Sequence, residues 1–176
     1  MRKNNMLTHG QIKYLATIPD DKKIIVKPFN PKGLDIANGI IAEIKSEEPD
    51  LEVVLLGSLP LMISGQEDID ISIFCIKSKQ SKHLDNINKL FGEPTRRGRN
   101  STAWDFEREG FSISVWLTDP TAETTKAQLQ VFNILKNDAA LLKEYEKTKE
   151  NAKDLSYKEY QIAKYEFYNK ILGLNV

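Results

Sequence analysis

Asp68 and Asp70 alternate with Ile69 and Ile71 at the head of an apolar run, about ten residues after a Gly57-Ser58 pair. Ser72, Ile73 and Cys75 continue the alternation, the period of a half-buried strand. Successive strand side chains point to opposite faces, so Asp68 and Asp70 share one face with their Cα atoms roughly 7 Å apart. Two carboxylates set this way can converge on Mg²⁺, a hard ion that takes oxygen ligands and bridges to phosphates. Gly57 lets the preceding strand, Leu51–Leu56, turn tightly with backbone amides free for a phosphate, and Ser58 adds a hydroxyl donor. The same residues have a plainer reading as a solvated strand face and a common turn pair.

A chain of 176 residues suffices for one domain with a proper core. The expected division is a single domain, 1–176, with a helical extension at 1–22, an α/β core at 23–118 and C-terminal helices at 119–176. The 25 basic residues balance the 25 acidic ones, which argues against nucleic acid or a membrane surface as partner. Cys75 is the lone cysteine and falls on the apolar side of its strand, as a core thiol would. No apolar run reaches membrane-spanning length and MRKNNMLTHG has no signal-type apolar stretch, so a cytoplasmic protein is expected.

The elements around the central stretch follow from caps and breakers. Thr8 caps a short helix at 9–17, and Lys23–Phe29 is extended. Asn30-Pro31 opens a helix to about Ser46 with Leu34, Ile40, Ile41 and Ile44 on its buried side. Ser78 starts a helix over 79–91, on which His83 faces solvent, and Gly92-Glu93-Pro94 breaks it. Arg96-Arg97-Gly98-Arg99 is a basic loop. It reads either as a hydrated turn or as a phosphate clamp through Arg97 and Arg99, since guanidinium forks match phosphate oxygens.

Thr102–Arg108 and Phe111–Leu117 form a hairpin around Glu109-Gly110. That turn pairs Asp105 with Ser114 and Glu107 with Ser112. Trp104, Phe106, Phe111, Ile113, Val115 and Leu117 then line an apolar face for helices. Ala103, Asp105, Glu107, Ser112, Ser114 and Trp116 continue the face of Asp68 and Asp70, which stays open to a substrate. A slip of one residue would reverse the two faces. Asp119-Pro120 opens a helix to about Lys136 with Leu129, Phe132 and Leu135 as core. Asp138 caps a helix at 139–151, and a Ser156/Glu159 capping box starts a last one ending at Gly173. The aromatic residues of that last helix read as core with a homo-oligomeric contact, while Lys143, Lys147, Lys149 and Lys153 lie on a solvated surface.

Gly-Ser followed by acid-x-acid between apolar residues resembles the signature of the nucleotidyltransferase superfamily. From Lys23 to Leu172 the chain is similar to the GrpB-like family, a compact branch of it. The likeness is carried by Ile24-x-Val26-x-Pro28-Phe29-x-Pro31, Gly57-Ser58 and Ile69-Asp70-Ile71. Leu141, Tyr145 and Lys149 match a Tyr-x-x-x-Lys spacing, and Tyr160, Lys164 and Phe167 a later one. Leu59-Pro60-Leu61 and Gly65-Gln66-Glu67-Asp68 depart from the family's Pro-Gly-Leu and Lys-Pro tracts. Its His-x-His is Ser112-Ile113-Ser114 here, and its Arg-Asp is Phe132-Asn133.

The resemblance implies an α+β fold: a small mixed sheet with helices on one face and a C-terminal helical segment. It also implies attack by an acceptor oxygen on the α-phosphate of a nucleoside triphosphate such as ATP, with loss of pyrophosphate. Asp68 and Asp70 would be the Mg²⁺ ligands, while Gly57 and Ser58 would hold the outer phosphates. The third acid of such a site would be Asp105 by hairpin pairing, then Glu107. Without it, the chain would be a relative that binds a nucleotide or a partner protein and does not turn over.

Overall fold

In the computed structural model, which describes residues 7–174, the alternating Asp68–Phe74 stretch forms an inner strand of a five-stranded sheet. The first six residues of the expected extension, and with them most of MRKNNMLTHG, lie outside the described residues. The chain divides into two compact units: residues 29–63 with 67–128, and the described residues of 7–28, 64–66 and 129–174. The strands are β1 (Glu52–Leu56), β2 (Asp68–Phe74), β3 (Arg96–Arg97), β4 (Ser101–Arg108) and β5 (Phe111–Thr118). The helices are α1 (His9–Leu15), α2 (Lys32–Glu47), α3 (Leu84–Phe91), α4 (Glu123–Asn137), α5 (Ala139–Asn151) and α6 (Tyr157–Ile171).

The first unit holds the sheet, in the order β1-β2-β5-β4-β3. β2 and β5 run parallel, and the other neighbours are antiparallel. One face is apolar because the alternating residues of β2 and β5 are Ile69, Ile71, Ile73, Ile113, Val115 and Leu117, all buried. Ile36, Ala37, Ile40 and Ile44 of α2 and Ile87 of α3 pack against that face, with Trp104 from β4. At about 25 cal/mol per Å² of apolar area, burying side chains of this size stabilises by roughly 1.5–3 kcal/mol each. The α+β class, the mixed sheet and the helices on one face agree with the sequence reading.

Several local readings need correction. The helix expected at 79–91 is broken into a 3₁₀ helix (Lys77–Lys82) and α3. Gln80 is buried in the 3₁₀ turn, where its Nε2 donates to the carbonyls of Cys75 (3.1 Å) and Asn100 (3.2 Å). Tying the side chain down there holds the tighter turn. His83, at the break, does not face solvent, since its Nδ1 lies 2.8 Å from Oε2 of buried Glu48. Asp119 does not cap α4, which starts four residues later. Its carboxylate instead accepts the backbone N–H groups of Thr121 and Lys77 at 2.8 Å each. Arg96 and Arg97 are an edge strand rather than a loop. Cys75 is buried, as expected.

The second unit is helical, and α4 runs across the boundary between the units. Thr8 and Gln11 form a capping box on α1, Asp138 accepts from the amides of Ala140 and Leu141, and Ser156 and Glu159 box the start of α6. Tyr160 and Phe167 of α6 are buried, and Phe167 stacks on Tyr145 of α5 at 5.3 Å. Lys149 is a correction: it is 3% exposed, and its Nζ donates to the Ser64 carbonyl at 2.7 Å. Lys23 and Lys27 make single β-bridges to Ser156 and Gly65, which leaves 23–27 extended without a full strand. Among the described residues, no helix is long and apolar enough to cross a membrane.

Candidate functional site

The face of the sheet opposite α2 and α3 is set by register. Glu109 and Gly110 take φ values of +52° and +85°, the left-handed pair a two-residue hairpin turn needs. That fixes Asp105 opposite Ser114 and Glu107 opposite Ser112. β2 then aligns Asp68 with Ser112 and Asp70 with Ser114. Directly paired residues project to the same side, so three rows cross this face. They are Asp68–Ser112–Glu107, Asp70–Ser114–Asp105, and Ser72–Trp116–Ala103–Arg96. Asp68 and Asp70 are half-buried, and Ser112 and Glu107 are exposed. The far end of the same face is closed: Ser72, Phe74 and Thr118 are buried, and the Thr118 hydroxyl lies 3.2 Å from that of Thr125 on α4.

Gly57 ends β1 with φ +83°, a conformation that side chains rarely adopt. A Cβ there would also stand 3.0 Å from Oδ2 of Asp70. The turn and the carboxylate are therefore in close approach, and a side chain at position 57 would be strained. Ser58 is half-buried and its carbonyl accepts from Leu61 at 3.2 Å, which curls the chain after the turn. Glu67, immediately before Asp68, is also left-handed at φ +56°.

Asp105 is held differently. Its Oδ2 accepts from Nε of Arg96 at 2.7 Å and from the Thr95 hydroxyl, and its Oδ1 accepts from the Ser114 hydroxyl at 2.7 Å and from Nη2 of Arg96. Burial works against ionisation, but the hydrogen bonds from Arg96, Thr95 and Ser114 and the guanidinium charge outweigh it and hold the pKa at about 2. The two strand spacings between Asp70 and Asp105 amount to about 10 Å of backbone separation, with Ser114 between them. The Arg96 guanidinium lies over the Trp116 ring, 4.3 Å from its centre.

Of the arginines singled out from sequence, Arg97 pairs with Thr102 and so lies on the other face, near Glu93 at 3.7 Å. Arg99 is exposed between β3 and β4. The arginine on the aspartate face is Arg96, which the clamp reading left out, while Trp116 beside it lies on that face as expected. The signal was present: residues 96 and 97 face opposite ways once the segment is a strand.

No group of three or more His, Cys, Asp or Glu among the described residues is placed to hold a metal ion. What the face offers is two neighbouring carboxylates. That donor set suits Mg²⁺ brought in with phosphates, because Mg²⁺ keeps several waters and commonly takes only one or two carboxylates plus substrate oxygens.

No protein-family model matches this chain, and no curated protein matches it. Among solved structures, the chain is similar to the conserved protein GrpB from Enterococcus faecalis, with a TM-score of 0.63 and 16% identity over 84% of this chain and 99% of that one. It is also similar to the Cid1 poly(U) polymerase in its Mg 3′-dATP-bound form, with a TM-score of 0.47 and 17% identity, and in its MgGTP-bound form, with a TM-score of 0.46 and 19% identity. These matches cover 86% and 88% of this chain, which spans about half the length of Cid1, 52% and 55% respectively. The chain thus shares the fold of the conserved protein GrpB.

Proposed function

We propose that this protein is a Mg²⁺-dependent nucleotidyltransferase that moves a nucleoside monophosphate from a triphosphate to an acceptor. The observation that carries the reading is the half-buried Asp68 and Asp70 side by side on the sheet face opposite α2 and α3, with Gly57 closed against Asp70. Asp68 and Asp70 would hold the Mg²⁺ of a bound Mg²⁺–triphosphate, and the Gly57-Ser58 turn would receive the outer phosphates. When bound, the ion would neutralise charge on the α-phosphate and on the departing pyrophosphate. An acceptor hydroxyl attacks the α-phosphorus, the bond to the β-phosphate oxygen breaks, and the hydroxyl proton passes to a base.

Asp105 is poorly suited to take that proton, with both oxygens occupied and a pKa of about 2. Glu107, exposed and across Ser112 from Asp68, is the acid we assign to the task. The same engagement of Asp105 favours a second reading, in which the face binds a Mg²⁺–nucleotide without turning it over. Incubation with Mg²⁺ and α-labelled triphosphates, scored for pyrophosphate and for labelled products or self-labelling, separates the two. Transfer lost in Asp70→Ala and reduced in Glu107→Gln supports the enzyme. Nucleotide binding without pyrophosphate supports the second reading, and activity unchanged in Asp70→Ala removes the first.

A further inference from the structure

Arg96 sits in a setting that an ordinary surface ion pair does not need. An exposed pair contributes about 0–1 kcal/mol and leaves two long side chains mobile. Here the guanidinium is fixed in two ways at once. Nε and Nη2 form a fork on the Asp105 carboxylate, which is itself pinned by the hydroxyls of Thr95 and Ser114. The fork fixes the plane of the cation. The Trp116 ring lies against it, with its centre 4.3 Å from the guanidinium carbon. Ala103 stands between Arg96 and Trp116 in the row and is fully buried, and its small side chain lets the arginine stem lie across β4 toward β5.

The guanidinium also has a side turned away from Trp116, on a side chain that is 51% exposed. Its charge is balanced by Asp105, and Asp68, Asp70 and Glu107 share the same side of the sheet. The surroundings therefore do not favour an anion at Arg96. A delocalised, weakly hydrated planar cation with its edge occupied offers chiefly a stacking surface. Trp116 is on β5, beside β2, and its partner there is Ser72, two residues along the strand from Asp70. The guanidinium over Trp116 is thus roughly one strand spacing and two residues from Asp70, about 8 Å, which is within the reach of a nucleotide from phosphate to base.

We propose that the outward face of the Arg96 guanidinium, backed by Trp116, is a stacking platform for a nucleobase. Placing that base beside the aspartates rests on the function proposed above, but stacking on Arg96 does not. The base belongs either to the bound triphosphate or to a nucleoside acceptor. The same arginine–indole arrangement would serve both, because every base has a π-face.

The test is calorimetry with Mg²⁺–ATP, Mg²⁺–tripolyphosphate and adenosine, on the full chain and on its Arg96→Gln and Arg96→Lys variants. Urea unfolding would accompany it to exclude misfolding. Both variants are expected to bind Mg²⁺–ATP and adenosine about tenfold more weakly, with tripolyphosphate unchanged. Lysine fails although it keeps the charge, since it lacks the plane. Adenosine that competes with Mg²⁺–ATP assigns the platform to the triphosphate's own base, and simultaneous binding assigns it to the acceptor. If neither triphosphate nor tripolyphosphate binds while adenosine binds through Arg96, the platform stands and the nucleotidyltransferase reading falls. Equal weakening for ATP and tripolyphosphate, full binding in Arg96→Lys, or adenosine binding that ignores Arg96 overturns the platform.

Discussion

A carboxylate that receives hydrogen bonds from an arginine, a threonine and a serine is a weak base and a good anchor, and Asp105 is such a group. Its folded-state pKa of about 2 lies below the ordinary 3.8, so ionised Asp105 favours the folded chain above that ordinary value. The contribution is lost as pH falls from 3.8 toward about 2. Allowing for solvent screening of the half-exposed Arg96, Asp105→Asn should lower stability at neutral pH by about 1 kcal/mol. Urea unfolding from pH 7 down to pH 2 checks this. The gap between parent and variant should be flat at neutral pH and close in the acid range, whereas a gap that ignores pH would contradict the assignment.

At the scale of elements, two glycines separate fold from site. Gly33 on α2 is buried, and a Cβ there would meet Leu59 Cδ1 and Phe111 Cε1 at 2.9 Å each. Gly33→Ala should overpack this contact between α2 and the sheet and cost about 1–3 kcal/mol while leaving nucleotide affinity intact. Gly57→Ala meets both a left-handed φ and Oδ2 of Asp70 at 3.0 Å. It should cost about 1–2 kcal/mol and also weaken Mg²⁺–nucleotide binding. Thermal unfolding beside a binding titration distinguishes the two, and equal binding losses in both variants would contradict the role given to the Gly57 turn.

The same elements explain what was legible in the sequence. β2 declared itself because Asp68–Ile73 alternates polar with apolar, and the β4–β5 register followed because Glu109-Gly110 allows one short turn. The caps at Thr8, Asp138 and Ser156 act within three or four residues, so they too could be read locally. What failed depends on partners distant in sequence. His83 meets Glu48 35 positions away, Lys149 meets Ser64 85 positions away, and Lys77 draws Asp119 off α4 from 42 positions away. On the face proposed as the site, the neighbouring positions of Asp68, Asp70 and Gly57 were readable. That Arg96 and not Arg97 shares that face was not, because it needed β3 to be recognised as an edge strand.

Across the whole molecule, 25 basic residues against 25 acidic ones leave no long-range field to collect a polyanion. A short single-stranded RNA should therefore show no salt-sensitive retention at about 0.15 M salt in the absence of nucleotide. Filter binding tests this, and affinity that falls steeply with added salt would contradict it. The central claim, that neighbouring Asp68 and Asp70 receive a Mg²⁺–nucleotide, is tested most directly by titrating ATP, GTP, CTP and UTP with and without Mg²⁺ into the parent chain, Asp68→Asn and Asp70→Asn. At least one triphosphate should bind the parent only with Mg²⁺, and each variant should lose about tenfold or more in affinity at an unchanged unfolding midpoint. Binding that is indifferent to Mg²⁺, or undiminished in Asp70→Asn, would contradict the account.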